Sequence, residues 1–136
     1  EKIKSCLNSI DSRCRVILVE NSDNLSFKKN IENDFNNVEC FLAGENLGYG
    51  KANNIGLKKT NTKYALILNP DAALHSTTLK NFLKTSEEFP EFAIMGPYTE
   101  DIKINKVSSI ANPKNNSLMY LLKINEIFLL ENGPTI

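Results

Sequence analysis

The sequence predicts an α/β fold of the doubly wound kind, on three observations. Short apolar runs recur along the chain, the first of them β-branched: RVILVEN at 15–21, VECFLA at 38–43, YALILN at 64–69 and FAIMGP at 92–97. Between them lie segments whose apolar residues return at helical spacing. The runs are near-continuously apolar rather than alternating, which is the pattern of a mainly parallel sheet covered by helices on both faces.

The elements follow in order. Ile3, Cys6, Leu7 and Ile10 stand at i, i+3, i+4 and i+7 and predict an opening amphipathic helix. RVILVEN is a strand, and SDN after it is turn chemistry. Phe27, Ile31 and Phe35 mark a second helix, with Asn24 or Ser26 as its N-cap. After the strand VECFLA, a glycine-bearing loop, GENLGYG, leads into a helix over KANNIGLKKT, whose propensity is weakened by Asn53, Asn54 and Gly56. YALILN is the clearest strand. A further helix takes Ser76 as cap, Leu79, Phe82 and Leu83 as buried face and Pro90 as stop, and FAIMGP closes the alternation as a strand. Beyond Pro97, IKINKVSSI reads as an edge strand or hairpin arm and NPKNNS as a loop. SLMYLLKINEIFLLENG reads as a last helix, capped by Ser117 and ended by Gly133. Its Leu118, Leu121, Leu122 and Phe128 suit a core or interface better than a membrane anchor.

Composition narrows the function. The chain has 136 residues, the size of one domain, with 41% hydrophobic and 24% charged residues, an ordinary globular balance. Sixteen basic residues offset sixteen acidic ones, so there is no broad positive field for a phosphate backbone, and nucleic acid is disfavoured as a partner. Cys6, Cys14 and Cys40 are odd in number and show no C-x-x-C spacing. They read as reduced thiols of a cytoplasmic protein, not as disulfides or zinc ligands. LMYLLKINEIFLL is interrupted by Lys123, Asn125 and Glu126 and is shorter than the roughly 20 residues of a membrane span, which leaves surface association with a membrane open. The opening EKIK, without an initiator Met or an apolar core segment, predicts a fragment with no signal peptide.

Ligands of open parallel sheets sit outside the carboxyl ends of the strands, where helix N-termini and loop amides converge. That rule selects VENSDN at 19–24, ENLGYGKANN at 45–54 and NPDA at 69–72, all expected at one edge. Asp71, rigidified by Pro70 and beside Asn69, can offer hard oxygens to Mg2+ or Mn2+, ions bound through one or two carboxylates plus substrate phosphates. The plainer reading is a turn in which Asp71 caps the next segment. Glu20, followed by Asn21 and Ser22, can accept hydrogen bonds from a base or ribose, or can simply be a solvated strand end. The loop fails the established phosphate fingerprints. Asn53 stands where G-x-G-x-x-G needs its third glycine, Gly44 and Gly50-Lys51 are one residue too far apart for a P-loop, and Ala52 replaces its Ser/Thr. A dinucleotide dehydrogenase and a P-loop ATPase are thereby disfavoured. His75 has no identifiable nucleophile and no G-x-S-x-G exists, so it reads as a surface or packing residue.

Three motifs in fixed order, VENSDN, NLGYGKANNIGLK and YALILNPDAAL, resemble the nucleotide-sugar-binding half of family 2 glycosyltransferases with the Rossmann-like GT-A fold. They are most similar to the rhamnosyltransferase-like pattern V-D-N-x-S, N-x-G-[FY]-[AG]-x-[AG]-N-x-G, L-x-L-N-P-D, over residues 15–97. The resemblance implies that Glu20 contacts the nucleotide together with Asn21 and Ser22. It gives Asn46, Gly48 and Asn53 to the loop that shapes the donor pocket, and Asp71 to the metal, with Asn69 as a neutral neighbour in place of the first carboxylate of D-x-D. Glu20 is one methylene longer than the family's usual Asp.

The resemblance also implies one partial GT-A domain over 1–136, with 1–97 as the nucleotide-sugar part and 98–136 as the start of the acceptor side. The family's strand ending in T-Y/F-N, which lies between VILVE and ALILN in the sheet, is expected before residue 1. The acidic catalytic base is expected beyond Ile136, since Glu100, Asp101, Glu126 and Glu131 do not match it. The implied reaction is inverting, metal-dependent transfer from a UDP- or dTDP-sugar to a glycan, polysaccharide or lipid-linked acceptor, at the cytoplasmic face of a membrane or in the cytoplasm.

Two other readings compete. One is a noncatalytic nucleotide-binding or truncated remnant domain acting in interaction. The other is a nucleotidyltransferase, which lacks here the Gly-rich, Arg/Lys-bearing N-terminal loop it would need. The glycosyltransferase account requires Asp71, Glu20 and the turn at Gly48 to gather about one hollow.

Overall fold

The structure, a computed structural model, describes residues 1–96 and 119–123. Its elements are α1 (Lys2–Asn8), β1 (Val16–Glu20), α2 (Leu25–Asp34), β2 (Val38–Leu42), α3 (Tyr49–Lys58), β3 (Tyr64–Leu68), α4 (Thr78–Glu88), β4 (Ile94–Met95) and β5 (Met119–Lys123). Strands alternate with helices from β1 to β4, and the α/β class read from the sequence is the class observed. The chain divides into two compact units. One joins Glu1–Ser9 to Tyr64–Lys123, and Ile10–Lys63 belongs to the other.

In the Ile10–Lys63 unit, β1 and β2 pair in parallel, from Val16 opposite Val38 to Glu20 opposite Leu42. The short β1 is entirely apolar up to Glu20 and is joined to β2 by α2, the crossover that a parallel pair requires. Asn24 caps α2, its side-chain oxygen accepting from the Phe27 N–H at 2.9 Å. The core of this unit is Ile31, Val38 and Cys40. Ile31 on α2 and Cys40 on β2 are each 1% exposed. Burial of a side chain like Ile31 contributes about 1.5–3 kcal/mol, a far stronger tie than exposed ion pairs supply.

Polar groups add a second tie between α2 and β2. Glu32 Oε1 accepts from Lys28 Nζ at 2.6 Å and from the Cys40 N–H at 2.8 Å, while Lys28 Nζ also donates to the Cys40 carbonyl. Both backbone groups of Cys40 are thus occupied by helix side chains, which protects the strand there from pairing with another chain.

Helix α3 packs on β1 through Gly56. A methyl group there would meet Val19 Cγ2 at 3.5 Å and Ile17 Cγ2 at 3.8 Å, ordinary contact distances. Its N-cap is Gly48, at φ 77° and ψ 171°, a backbone region that essentially only glycine occupies.

In the other unit the strand order is β3-β5-β4, with β5 antiparallel to both neighbours. Tyr64 opens β3 and stacks on Phe92 just before β4, with ring centroids 5.8 Å apart. The core comprises Cys6 and Leu7 from α1, Ala72 and Leu74 after β3, and Phe82 on α4.

Several sequence expectations change. Residues 119–123, expected inside a last helix, form β5. In the sequence Leu121 and Leu122 follow Leu118 at helical spacing, but strand partners on both sides of 119–123 decide the conformation. The cap of α4 is Thr77 rather than Ser76 and makes no side-chain cap bond. Leu83, expected on the buried face, is 51% exposed, because Phe82 and Ser86 take the inward positions. β1 and β3 are half-buried at every residue rather than covered on both faces, as befits strands that end their respective sheets. The edge strand or hairpin arm at 102–110, the loop at 112–117 and the remainder of the last helix lie outside the described residues.

The two glycines of α3 should respond oppositely to alanine. Gly48→Ala is expected to cost about 1–3 kcal/mol, since it forces a side chain into a glycine-only conformation. Gly56→Ala should be neutral or stabilise by about 0.4–1 kcal/mol by stiffening the unfolded chain at a site with room for a methyl. Urea midpoints check both, and equal losses would contradict the packing described.

The Lys28 hydrogen bond, then the Cys40 N–H, hold the Glu32 carboxyl below its ordinary value of 4.5. A depressed carboxyl contributes stability that is full above the unfolded value and lost as pH falls through the folded one. The stability gap between the wild type and Glu32→Gln should therefore close below about pH 4.5. A gap that held constant into acid would sink the assignment.

Candidate functional site

The parallel register delivers the ends of β1 and β2 to one edge, and the backbone keeps them joined past the strands. The Ala43 N–H donates to the Glu20 carbonyl at 2.9 Å, and the Gly44 N–H to the Ser22 carbonyl at 3.0 Å. At this edge the Ser22 hydroxyl donates to Glu20 Oε1 at 2.7 Å, fixing one carboxylate oxygen of a half-buried side chain. The same hydroxyl oxygen accepts from the Asn24 N–H at 3.3 Å, which closes a tight turn into α2.

Asn21 faces the loop that precedes α3. Its Nδ2 donates to Asn46 Oδ1 at 2.8 Å and its Oδ1 accepts from the Leu47 N–H at 2.9 Å. Asn46 Oδ1 accepts a second bond from the Gly48 N–H at 3.0 Å. Five residues singled out in the sequence, Glu20, Asn21, Ser22, Asn46 and Gly48, therefore share one hydrogen-bonded edge although they come from two motifs some 25 positions apart. Asn53 sits a turn further along α3, half-buried. Gly48 caps α3 without a side-chain bond, and the helix dipole adds partial positive charge at this end of the helix.

Asn69 and Asp71 belong to the other unit. The Ala72 N–H donates to the Asn69 carbonyl at 3.1 Å, so Asn69-Pro70-Asp71-Ala72 is a β-turn with proline at its favoured second position. The turn exposes Asp71, while Ala72 and Leu74 are buried behind it as anchors. A strand that runs straight into Asn-Pro-Asp and at once becomes apolar again thereby presents one carboxylate on a fixed base.

Two residues that the sequence reading did not select brace this base from α1. The Cys6 thiol donates to the Asn69 carbonyl at 3.6 Å, and the Leu74 N–H donates to Ser9 Oγ at 2.9 Å, while Ser9 Oγ donates to the Cys6 carbonyl at 2.6 Å. Burial, and then the negative charge of Asp71, push the Cys6 thiol upward, so the thiol stays protonated and able to donate. The contacts to Asn69 and Leu74 span more than 60 positions, and no local pattern announces them.

Among the described residues no group of three or more His, Cys, Asp or Glu side chains could hold a metal ion. A lone exposed carboxylate does not suit a resident zinc. It does suit a hard ion such as Mg2+ or Mn2+, whose remaining ligands are phosphate oxygens and water. His75 is exposed, with its Nδ1 3.0 Å from Thr77 Oγ1, in keeping with a surface residue.

A cavity of about 340 Å3 opens at the opposite ends of β1 and β2, lined by residues that include Arg13, Arg15, Asn37 and Glu39. Arg13 is held by Asp11 at 2.5 Å and Arg15 by Glu39 at 2.6 Å. With its guanidiniums already paired and Glu39 in its wall, this cavity is a poor anion site. No helix among the described residues is long and apolar enough to cross a membrane.

No curated protein and no solved structure matches the chain. The family model described as glycosyl transferase family 2 does match, over residues 1–132. That match takes in the turn at Glu20, the loop at Gly48 and the Asn-Pro-Asp turn alike, and the chain belongs to glycosyl transferase family 2.

Proposed function

We propose that the chain binds a nucleoside-diphosphate sugar, a UDP- or dTDP-sugar of the rhamnosyltransferase-like kind, for inverting and metal-dependent transfer to a glycan, polysaccharide or lipid-linked acceptor in the cytoplasm or at the inner face of a membrane. The observation that carries this reading is the union of Glu20, Ser22, Asn21, Asn46 and Gly48 at the carboxyl edge of the β1–β2 pair. Residues 1–97 form the nucleotide-sugar part in this account, and 98–136 begin the acceptor side.

Each residue receives work suited to its chemistry. Glu20, with one oxygen set by Ser22, accepts hydrogen bonds from the base or ribose through its other oxygen. The N-terminal end of α3 meets the diphosphate, since the helix dipole there favours negative charge. Asp71 holds Mg2+ or Mn2+, with the Asn69-Pro70 segment fixing its position and no second carboxylate required. When bound, the ion neutralises charge on the departing diphosphate. An acceptor hydroxyl, losing its proton to a carboxylate base, then attacks the anomeric carbon from the face opposite the leaving group. No described residue is assigned as that base.

Calorimetry of UDP and dTDP with this chain tests the reading. Binding is expected in the presence of Mn2+ or Mg2+, to weaken at least about tenfold on chelation, and to fall by a similar factor in Asp71→Ala, in line with the loss of one charge-assisted contact or more. Absence of binding, or binding indifferent to both the chelator and the substitution, would overturn it.

A further inference from the structure

We infer that Asn21 and Asn46 are positioning residues: their side-chain amides form a directional latch that sets the 44–48 loop and aims the start of α3, and neither needs to touch the donor. The inference rests on the reading of this edge as the donor site, but the latch can be tested without it.

The direction of the latch follows from its backbone partners. The N–H groups of Leu47 and Gly48 can only donate. Gly48 therefore requires oxygen from Asn46, and Leu47 requires oxygen from Asn21. With both oxygens so committed, Asn21 can meet Asn46 Oδ1 only with its nitrogen, which is the arrangement present at 2.8 Å. Turning either amide over would set donor against donor. The O and N positions of both side chains are thus dictated by the chain itself.

Gly48, at φ 77°, makes the sharp change of direction between this loop and α3, so the latch is applied one residue before the helix begins. The link runs from the end of β1 to the entry of α3, and it couples the turn carrying Glu20 to the helix end proposed to meet the diphosphate.

The two asparagines are consequently unequal. Position 46 uses only its oxygen in the latch, accepting from Asn21 and from Gly48, and aspartate supplies the same acceptor. Position 21 uses both ends of its amide. Aspartate there would set oxygen against Asn46 Oδ1, and Asn46 could not turn to compensate without facing its own nitrogen toward the Gly48 N–H. A merely space-filling role would not distinguish the two positions.

Amide hydrogen exchange by NMR on the full chain tests the latch, with the Cys40 amide, held by Glu32 in the same unit, as the fold control. Expected are protected Leu47 and Gly48 amides in the wild type, protection retained within about threefold in Asn46→Asp, and exchange faster by about tenfold or more in Asn21→Asp and Asn21→Ala, with Cys40 unchanged. Unaltered protection in Asn21→Ala, or equal loss in Asn46→Asp and Asn21→Asp, would overturn the inference. For the donor, the uncharged Asn21→Ala variant is expected to weaken UDP binding in Mn2+ by about tenfold, and unchanged affinity would show that the latch does not position the donor site. If the wild type binds no nucleotide while the exchange pattern holds, the donor reading fails and the latch stands.

Discussion

Parallel pairing of β1 with β2 is the constraint on which the Ile10–Lys63 unit depends. In an antiparallel hairpin the segments after the two strands would leave at opposite ends. The register from Val16–Val38 to Glu20–Leu42 brings both out at one edge, and the bonds from Ala43 and Gly44 extend that alignment beyond the strands. Only then can a turn ending in Ser22 and a loop beginning at Gly44 exchange side-chain hydrogen bonds. α2 serves as the crossover that makes the pairing possible, and it is held to β2 by Ile31 and by the two side chains that occupy the backbone of Cys40.

The two units present chemistry by different means. In one, amide side chains do the fixing, and glycine at position 48 supplies a backbone direction no other residue takes readily. In the other, a proline-bearing turn displays a single carboxylate while buried residues on either side of it, Cys6, Ala72 and Leu74, hold the base. A lone aspartate is a weak metal site by itself. The proposed function therefore pairs it with a ligand that brings its own phosphate oxygens, the usual way Mg2+ and Mn2+ are held through one or two carboxylates.

Much of this was legible in the sequence, for identifiable reasons. Apolar runs such as VILVE and YALIL, the Asn24 cap and the order of the three motifs are local signals, and the structure follows them. What escaped depends on distant partners. β5 arises because Met119–Lys123 finds strand partners at Tyr64–Leu68 and Ile94–Met95, against a leucine spacing that suits a helix equally well. Leu83 and Phe82 are neighbours in sequence, and only the packing around α4 decides that Phe82 goes inward. The brace from Cys6 and Ser9 joins residues more than 60 positions apart, and the bond between Asn21 and Asn46 was invisible although both residues were selected. Residue type announced that these groups could bind something. Geometry shows that much of their capacity is spent on one another.

The proposed function makes the carboxyl edge of the β1–β2 pair, with Glu20 and the loop at Gly48, the nucleotide site. Paramagnetic broadening of backbone amide signals by Mn2+, recorded with and without UDP, tests it most directly. The proposal predicts that Mn2+ with UDP broadens the amides of 20–22 and 47–49, and that both groups sharpen again when UDP is removed. Amides of 20–22 and 47–49 left sharp in the presence of UDP, or broadening spread over surface carboxylates regardless of nucleotide, would contradict it.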